Sequence, residues 1–114
     1  MTSPTVSAVL FDLDGTLIDT APEFIHIGLQ LRAEAGLPPI DAKTIWHSVS
    51  NGAIGMVEAA LEMPADDPAF EQWRQRFLTL YETGLGDLSH PYPGLPELVA
   101  GLDKARIAWG VVTN

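Results

Sequence analysis

Apolar and polar residues along this chain follow two different periods. Val6-Ser7-Ala8-Val9-Leu10-Phe11 is a short apolar run that breaks into Asp12-Leu13-Asp14-Gly15, the pattern of a strand delivered into a glycine turn. After Leu17 the spacing becomes helical. Thr20-Ala21-Pro22-Glu23 predicts a capping box, with Thr20 as N-cap, Pro22 in the first turn and Glu23 reaching back. Phe24, Ile27, Leu31 and Ala35 then recur on one face until Gly36 and Pro38-Pro39 end the helix. A short helix is expected from Asp41, carrying Ile45, Trp46 and Val49. Ser50-Asn51-Gly52 interrupts it, and Ile54, Val57 and Leu61 indicate a third helix. Pro64 to Pro68 is a break, after which Asp67 caps a longer helix with Phe70, Trp73, Phe77, Leu80 and Tyr81 on one face.

Residues 18–90 therefore read as an all-helical block with no strand signal. His90-Pro91-Tyr92-Pro93-Gly94 closes the block and leads into a helix with Leu95, Leu98 and Leu102 inward. Arg106 to Thr113 reads as a second strand, apolar enough to be buried on both faces of a parallel sheet. Strand, helical block, helix and strand make one βαβ crossover with a large helical insertion, an α/β architecture. No repeat and no low-complexity segment interrupts it.

Composition narrows the function classes. The 114 residues suit one ordinary domain or part of a larger one, and 46% hydrophobic content argues for a folded chain. The absence of cysteine excludes disulfides and thiol chemistry. No stretch approaches the roughly 18 apolar residues of a membrane helix, and no signal peptide is evident, so a cytoplasmic protein without membrane contact is expected. A net charge of −9, from 15 acidic and 6 basic residues, argues against nucleic acid as a partner. It also means that any anion site must be locally inverted, by a cation or by backbone N–H groups.

Candidate chemistry starts with Asp12 and Asp14. Residues two apart on a strand share a face, so the two carboxylates are expected to leave the strand end pointing the same way. Their repulsion is offset by a hard cation such as Mg2+, which takes oxygen ligands and keeps waters and a substrate phosphate. The pair thus reads as a metal-assisted phosphoryl site at the carboxyl end of a strand. A purely structural turn is the plain alternative. A calcium loop fails because its sixth position, which needs glycine, is Leu17.

Phe11-Asp12-Leu13-Asp14-Gly15-Thr16-Leu17 together with Val111-Val112-Thr113-Asn114 resembles the haloacid dehalogenase (HAD) superfamily of phosphatases. The helical insertion and Tyr92-Pro93-Gly94-Leu95-Pro96-Glu97-Leu98 resemble its phosphoglycolate phosphatase-like subgroup. Gly36-Leu37-Pro38-Pro39-Ile40 and Trp109 to Asn114 are similar to the N-acetylmuramic acid 6-phosphate phosphatases within that subgroup. The resemblance implies a partial Rossmann-like HAD core at 1–17 and 91–114, with two parallel strands, and a helical cap at 18–90. It implies Asp12 as nucleophile forming an aspartyl-phosphate, and Asp14 as general acid and then base. Mg2+ would be held by the Asp12 carboxylate and the Asp14 backbone carbonyl. Gly15 would permit the tight turn, with backbone N–H groups there cradling the phosphoryl oxygens. Thr113 would hydrogen-bond the transferring group, and Asn114 would offer its backbone N–H nearby. The implied partner is a small phosphorylated acid or sugar.

Other residues carry two readings. Thr16 either bonds within its loop or touches substrate, and Ser50, Asn51 and Gly52 are either a substrate-facing cap loop or a helix break. His26, His47 and His90 lack metal-site spacing, and Trp46, Trp73 and Trp109 sit at core-like positions, where packing is expected rather than sugar binding. The family pattern also needs a phosphate-neutralising lysine and further acidic metal ligands beyond the second motif. Lys104 precedes the second strand and cannot serve. The chain is accordingly expected to be the N-terminal portion of a longer enzyme, inactive alone. Two alternatives remain: a non-catalytic helical module that pairs through the faces around Phe70, Trp73 and Phe77 or through open sheet edges, and a phosphomutase of the same family.

Overall fold

Residues 5–84 and 87–113 are described by the structure, a computed structural model. Asn114 lies outside the described residues. The chain divides into two compact units. Unit 1 comprises Met1–Asp19 and His90–Asn114, and unit 2 comprises Thr20–Ser89.

Unit 1 contains β1 (Ala8–Phe11), β2 (Ile18–Asp19), β3 (His90–Pro91), α5 (Leu95–Lys104) and β4 (Ala108–Val111). Strands β1 and β4 pair in parallel with Ala8 opposite Ala108 and Phe11 opposite Val111. Phe11 is buried, with the Trp109 ring edge-on to it at 6.2 Å between centroids. The Trp109 indole N–H donates to Asp103 Oδ1 at 2.9 Å, fixing the start of β4 to the end of α5.

Unit 2 holds the main hydrophobic core. Its helices are α1 (Ala21–Glu34), α2 (Ala42–Trp46), a 3-10 turn (Val49–Asn51), α3 (Gly52–Leu61) and α4 (Phe70–Thr83). Ile27 and Leu31 project from α1 at i, i+4 spacing into Ile45, Met56, Val57, Leu61, Phe70 and Phe77. Phe24 sets its ring edge-on to Phe77 at 5.5 Å and to Tyr81 at 5.2 Å, a favourable quadrupolar arrangement. Arg32 is buried with its guanidinium turned to backbone: Nε donates to the Pro38 carbonyl and Nη1 to Ala60 O at 2.9 Å. It thereby occupies carbonyls at the exit of α1 and the last turn of α3, where helix ends leave acceptors unfilled.

Several sequence expectations are corrected. Thr20 is the α1 N-cap, but among the described residues its side chain makes no capping hydrogen bond. The Glu23 carboxylate is 2% exposed and accepts a hydrogen bond from the Ser89 hydroxyl. Asp41 does cap α2, accepting the Lys43 N–H at 2.8 Å. Ahead of α4 the N-cap is Ala69, two residues beyond the expected Asp67, whose Oδ1 accepts the Ala69 N–H at 2.8 Å just before the helix.

Ile54 is exposed and Met56 replaces it inside, because α3 begins at Gly52 and turns its face accordingly. Trp46 is 56% exposed and contacts His47, since five-residue α2 can bury only Ile45. The block read as all-helical is edged by an antiparallel pair, β2 with β3, placing Ile18 opposite Pro91 and Asp19 opposite His90. Two residues per strand are too few for a periodic signal. Finally, β4 is four residues long and largely exposed, as are Trp109 and Leu98, because unit 1 covers the sheet with α5 alone among the described residues.

Candidate active site

Strand β1 ends at Phe11, so Asp12 is the first residue beyond it and Asp14 lies in the following turn. Strand alternation therefore does not place Asp14. The turn does, through a bridge between Asp14 and Ile18. Gly15 adopts φ +74°, a left-handed conformation that costs an L-residue roughly 1–2 kcal/mol. The space around it is open, so backbone geometry alone calls for glycine there. The loop then closes on itself: Gly15 N–H donates to Ile18 O at 2.9 Å, Leu17 N–H to Leu13 O at 3.1 Å and Ile18 N–H to Leu13 O at 3.0 Å. Thr16 N–H also reaches Leu13 O, at 3.3 Å.

These bonds use the N–H groups that the resemblance implied for phosphate. The N–H groups from Gly15 to Ile18 are engaged inside the loop and are not a ready cradle for phosphoryl oxygens. The Leu13 N–H donates to Asp12 Oδ1 at 2.9 Å, which orients the carboxylate at the strand exit. Of the two readings of Thr16, the backbone supports the loop role; its side chain is exposed.

The second candidate segment reaches the same place from the other strand. The Val112 N–H donates to Phe11 O at 2.8 Å, extending the parallel ladder one residue past β4. With Phe11 opposite Val111, Asp12 and Thr113 emerge at the carboxyl ends of adjacent parallel strands. Asp12, Asp14, Thr16 and Thr113 are all exposed. Open α/β sheets take ligands at this end of their strands. Ser50 and Asn51 belong to unit 2, exposed on the 3-10 turn, with Gly52 opening α3 at φ +68°. A cleft of about 380 Å³ in unit 2 is lined by Glu23, His26, Gln30 and Thr83 with Ile27 and Leu80, and none of the candidate catalytic, substrate-binding or metal residues lines it.

Asp19 and Tyr92 were missed. The Tyr92 N–H donates to Leu17 O at 3.3 Å, so the return segment holds the end of the aspartate loop. Burial, and then the Asp19 carboxylate beside it, pushes the Tyr92 phenol above its ordinary range. Tyr92-Pro93-Gly94 reads in sequence as a turn within the segment that resembles the phosphoglycolate phosphatase-like subgroup, and the pairing of β2 with β3 that brings it to Leu17 is non-local.

The donor set fits Mg2+ in kind. Asp12 and Asp14 supply exposed hard oxygens, and Mg2+ commonly uses one or two carboxylates beside waters and phosphate. Among the described residues no cluster of three or more His, Cys, Asp or Glu could hold a metal.

The sequence pattern of the haloacid dehalogenase-like hydrolases matches residues 9–114, spanning both the aspartate loop and the end of β4. The chain belongs to that family. Among HAD-like relatives it is 51% identical to the N-acetylmuramic acid 6-phosphate phosphatase of Pseudomonas aeruginosa, over 96% of this chain and 48% of the relative. It is 39% identical to the phosphoglycolate phosphatase of Agrobacterium fabrum, over 100% of this chain and 51% of that protein. The fold resembles the crystal structure of a predicted phosphoglycolate phosphatase from Haemophilus somnus, with TM-score 0.76 at 24% identity, covering 96% of this chain and 52% of that one. The chain thus spans about half the length of the curated relatives it matches. Among the described residues, no helix of this HAD-like chain is long and apolar enough to cross a membrane.

Proposed function

We propose that this chain supplies the nucleophilic half of a Mg2+-dependent phosphomonoester hydrolase working through an aspartyl-phosphate. The observation that carries the reading is the emergence of Asp12 and Thr113 on paired strand ends, with Asp14 two residues on in the Gly15 turn. In the first step an Asp12 carboxylate oxygen attacks phosphorus and the bond to the leaving alkoxide breaks. Asp14 gives that oxygen its proton. In the second step Asp14 takes a proton from water, the water oxygen attacks phosphorus, and inorganic phosphate leaves with Asp12 restored. The Leu13 N–H contact holds Asp12 in place for attack, and the Thr113 hydroxyl donates to the transferring phosphoryl group. The Asp12 carboxylate and Asp14 backbone carbonyl would hold Mg2+, which when bound supplies positive charge against the phosphate dianion. Such charge is needed in a chain of net −9.

The substrate class is a small phosphorylated sugar or acid. The 51% identical relative favours an N-acetylmuramic acid 6-phosphate-like sugar over phosphoglycolate. The test is phosphate release by a chimera in which this chain is continued by the second half of the Pseudomonas aeruginosa relative. Turnover of the sugar phosphate is expected to need Mg2+ and to fall by about 10³-fold or more in Asp12→Asn. An Asn variant that keeps its rate rules the mechanism out.

A further inference from the structure

The Gly15 turn closes onto β2, and β2 is itself held by little. The Gly15 N–H donates to Ile18 O at 2.9 Å and a bridge joins Asp14 to Ile18, so the place of Asp14 follows the place of β2. Among the described residues β2 pairs with β3 alone, over two residues. Pro91 stands opposite Ile18 and has no N–H to give the ladder. A two-stranded ribbon is marginal in water even when longer.

Tyr92 adds two holds, and it belongs to unit 1 together with the loop it touches. Its N–H donates to Leu17 O at 3.3 Å, one residue before β2. Its half-buried phenol lies against the carboxylate of Asp19, the last residue of β2. Burial, then that negative charge and the hydrogen bond to it, keep the phenol protonated beyond its ordinary range. A protonated phenol is a donor and a carboxylate an acceptor, so the contact is attractive.

We propose that Tyr92 is a positioning residue: by gripping β2 at Leu17 and at Asp19 it holds the turn that presents Asp14. The catalytic consequence rests on the reading of Asp14 as general acid, whereas the grip itself does not.

Tyr92→Phe tests both parts, since it keeps the ring and the backbone N–H and removes the hydroxyl. In the intact chain, hydrogen exchange at the Gly15 and Ile18 amides, followed by NMR, is expected to quicken by about tenfold. The Val112 amide, bonded to Phe11 O on the β1–β4 ladder, is expected to keep its rate. In the chimera with the second half of the Pseudomonas aeruginosa relative, single-turnover phosphoryl transfer from N-acetylmuramic acid 6-phosphate is expected to slow by about tenfold. Transfer from p-nitrophenyl phosphate, whose leaving group departs without a proton, is expected to slow by less than about twofold. A merely loosened fold would slow both alike. Beside Asp19→Asn, Tyr92→Phe is expected to change exchange by less than about twofold, because the hydroxyl has lost the charge it faces.

Unchanged exchange at Gly15 and Ile18 overturns the proposal. So does a rate change that is the same on both substrates, or a full effect of Tyr92→Phe beside Asp19→Asn. A parent chimera without turnover counts against the catalytic reading, and exchange in the intact chain then decides the grip by itself.

Discussion

Replacing Gly55 by alanine tests how tightly α3 is pressed against the turn that carries Ser50 and Asn51. A Cβ built at Gly55 lies 2.3 Å from Asn51 Cβ and 3.3 Å from the Ser48 carbonyl oxygen. Carbon atoms rest about 3.5–4 Å apart, so the 3-10 turn must move by over ~1 Å. That shift acts on the Asn51 N–H to Ser48 O bond, now 3.0 Å. Overpacking of this kind costs about 1–3 kcal/mol, against roughly 1 kcal/mol gained in helix propensity when glycine becomes alanine. The expected net loss is about 1 kcal/mol, a fall in Tm of about 4–8 °C for a unit of this size. Thermal melting by far-UV circular dichroism reads it, and amide shifts at Ser50 and Asn51 report the moved turn. Gly101→Ala is the control. Gly101 lies within α5 with nothing in reach of a Cβ, so propensity acts alone and stability rises by about 0.5–1 kcal/mol. A Gly55→Ala variant as stable as its parent, with unmoved shifts, refutes the packing.

The remaining expectations concern polar anchors in unit 2. Arg32→Met leaves the Pro38 and Ala60 carbonyls without their donor, and urea unfolding should show a loss of about 2–4 kcal/mol. A loss under about 0.5 kcal/mol would mean the guanidinium is dispensable. Arg76 joins α4 to α1 through Glu34, with Nη2 to Oε1 at 2.7 Å, and this hydrogen bond holds the Glu34 carboxyl below its usual range. A lowered folded value means that the stabilisation is complete above the ordinary glutamate range and disappears as pH falls through the lowered one. The pair is solvent-exposed, so the Tm difference between parent and Arg76→Gln should be small near neutrality and close in acid. A difference that widens on acidification contradicts the assignment.

The elements that sequence shows well are those whose signal is local and long. The stripe Ile27-Leu31 on α1 and Phe70-Phe77 on α4 recurs over several turns, and those residues are the core. Phe70 and Phe77 are thereby used within unit 2, which removes them from the pairing surface that the alternative helical-module reading required. Short elements read poorly. In α2 a single residue, Ile45, decides burial, and Trp46 beside it goes outward despite its size. The pair β2 with β3 depends on residues more than seventy positions apart, so no window along the chain reveals it.

At the candidate site, Asp12 and Gly15 stand out because a strand end and a left-handed turn have compositional signatures, whereas Thr113 stands out only through the family resemblance. The hydrogen bonds that occupy the N–H groups of Gly15 to Ile18 have none, and neither does the hold of Tyr92 on Leu17. The burial expected of β4 differs from its exposure for another reason. An apolar strand states what it needs to be covered by, and Val111 and Val112 are covered here on neither count by unit 1.

Covalent labelling tests the central claim most directly. The chimera of this chain with the second half of the Pseudomonas aeruginosa relative is mixed with N-acetylmuramic acid 6-phosphate and Mg2+, quenched in acid within one turnover, and its peptides are sequenced by mass spectrometry. One phosphoryl group is expected on Asp12, labile to base as an acyl phosphate is, and absent in Asp12→Asn. Phosphate found on another residue, or full single-turnover hydrolysis by the Asn variant with no labelled peptide, contradicts the assignment of Asp12 as nucleophile.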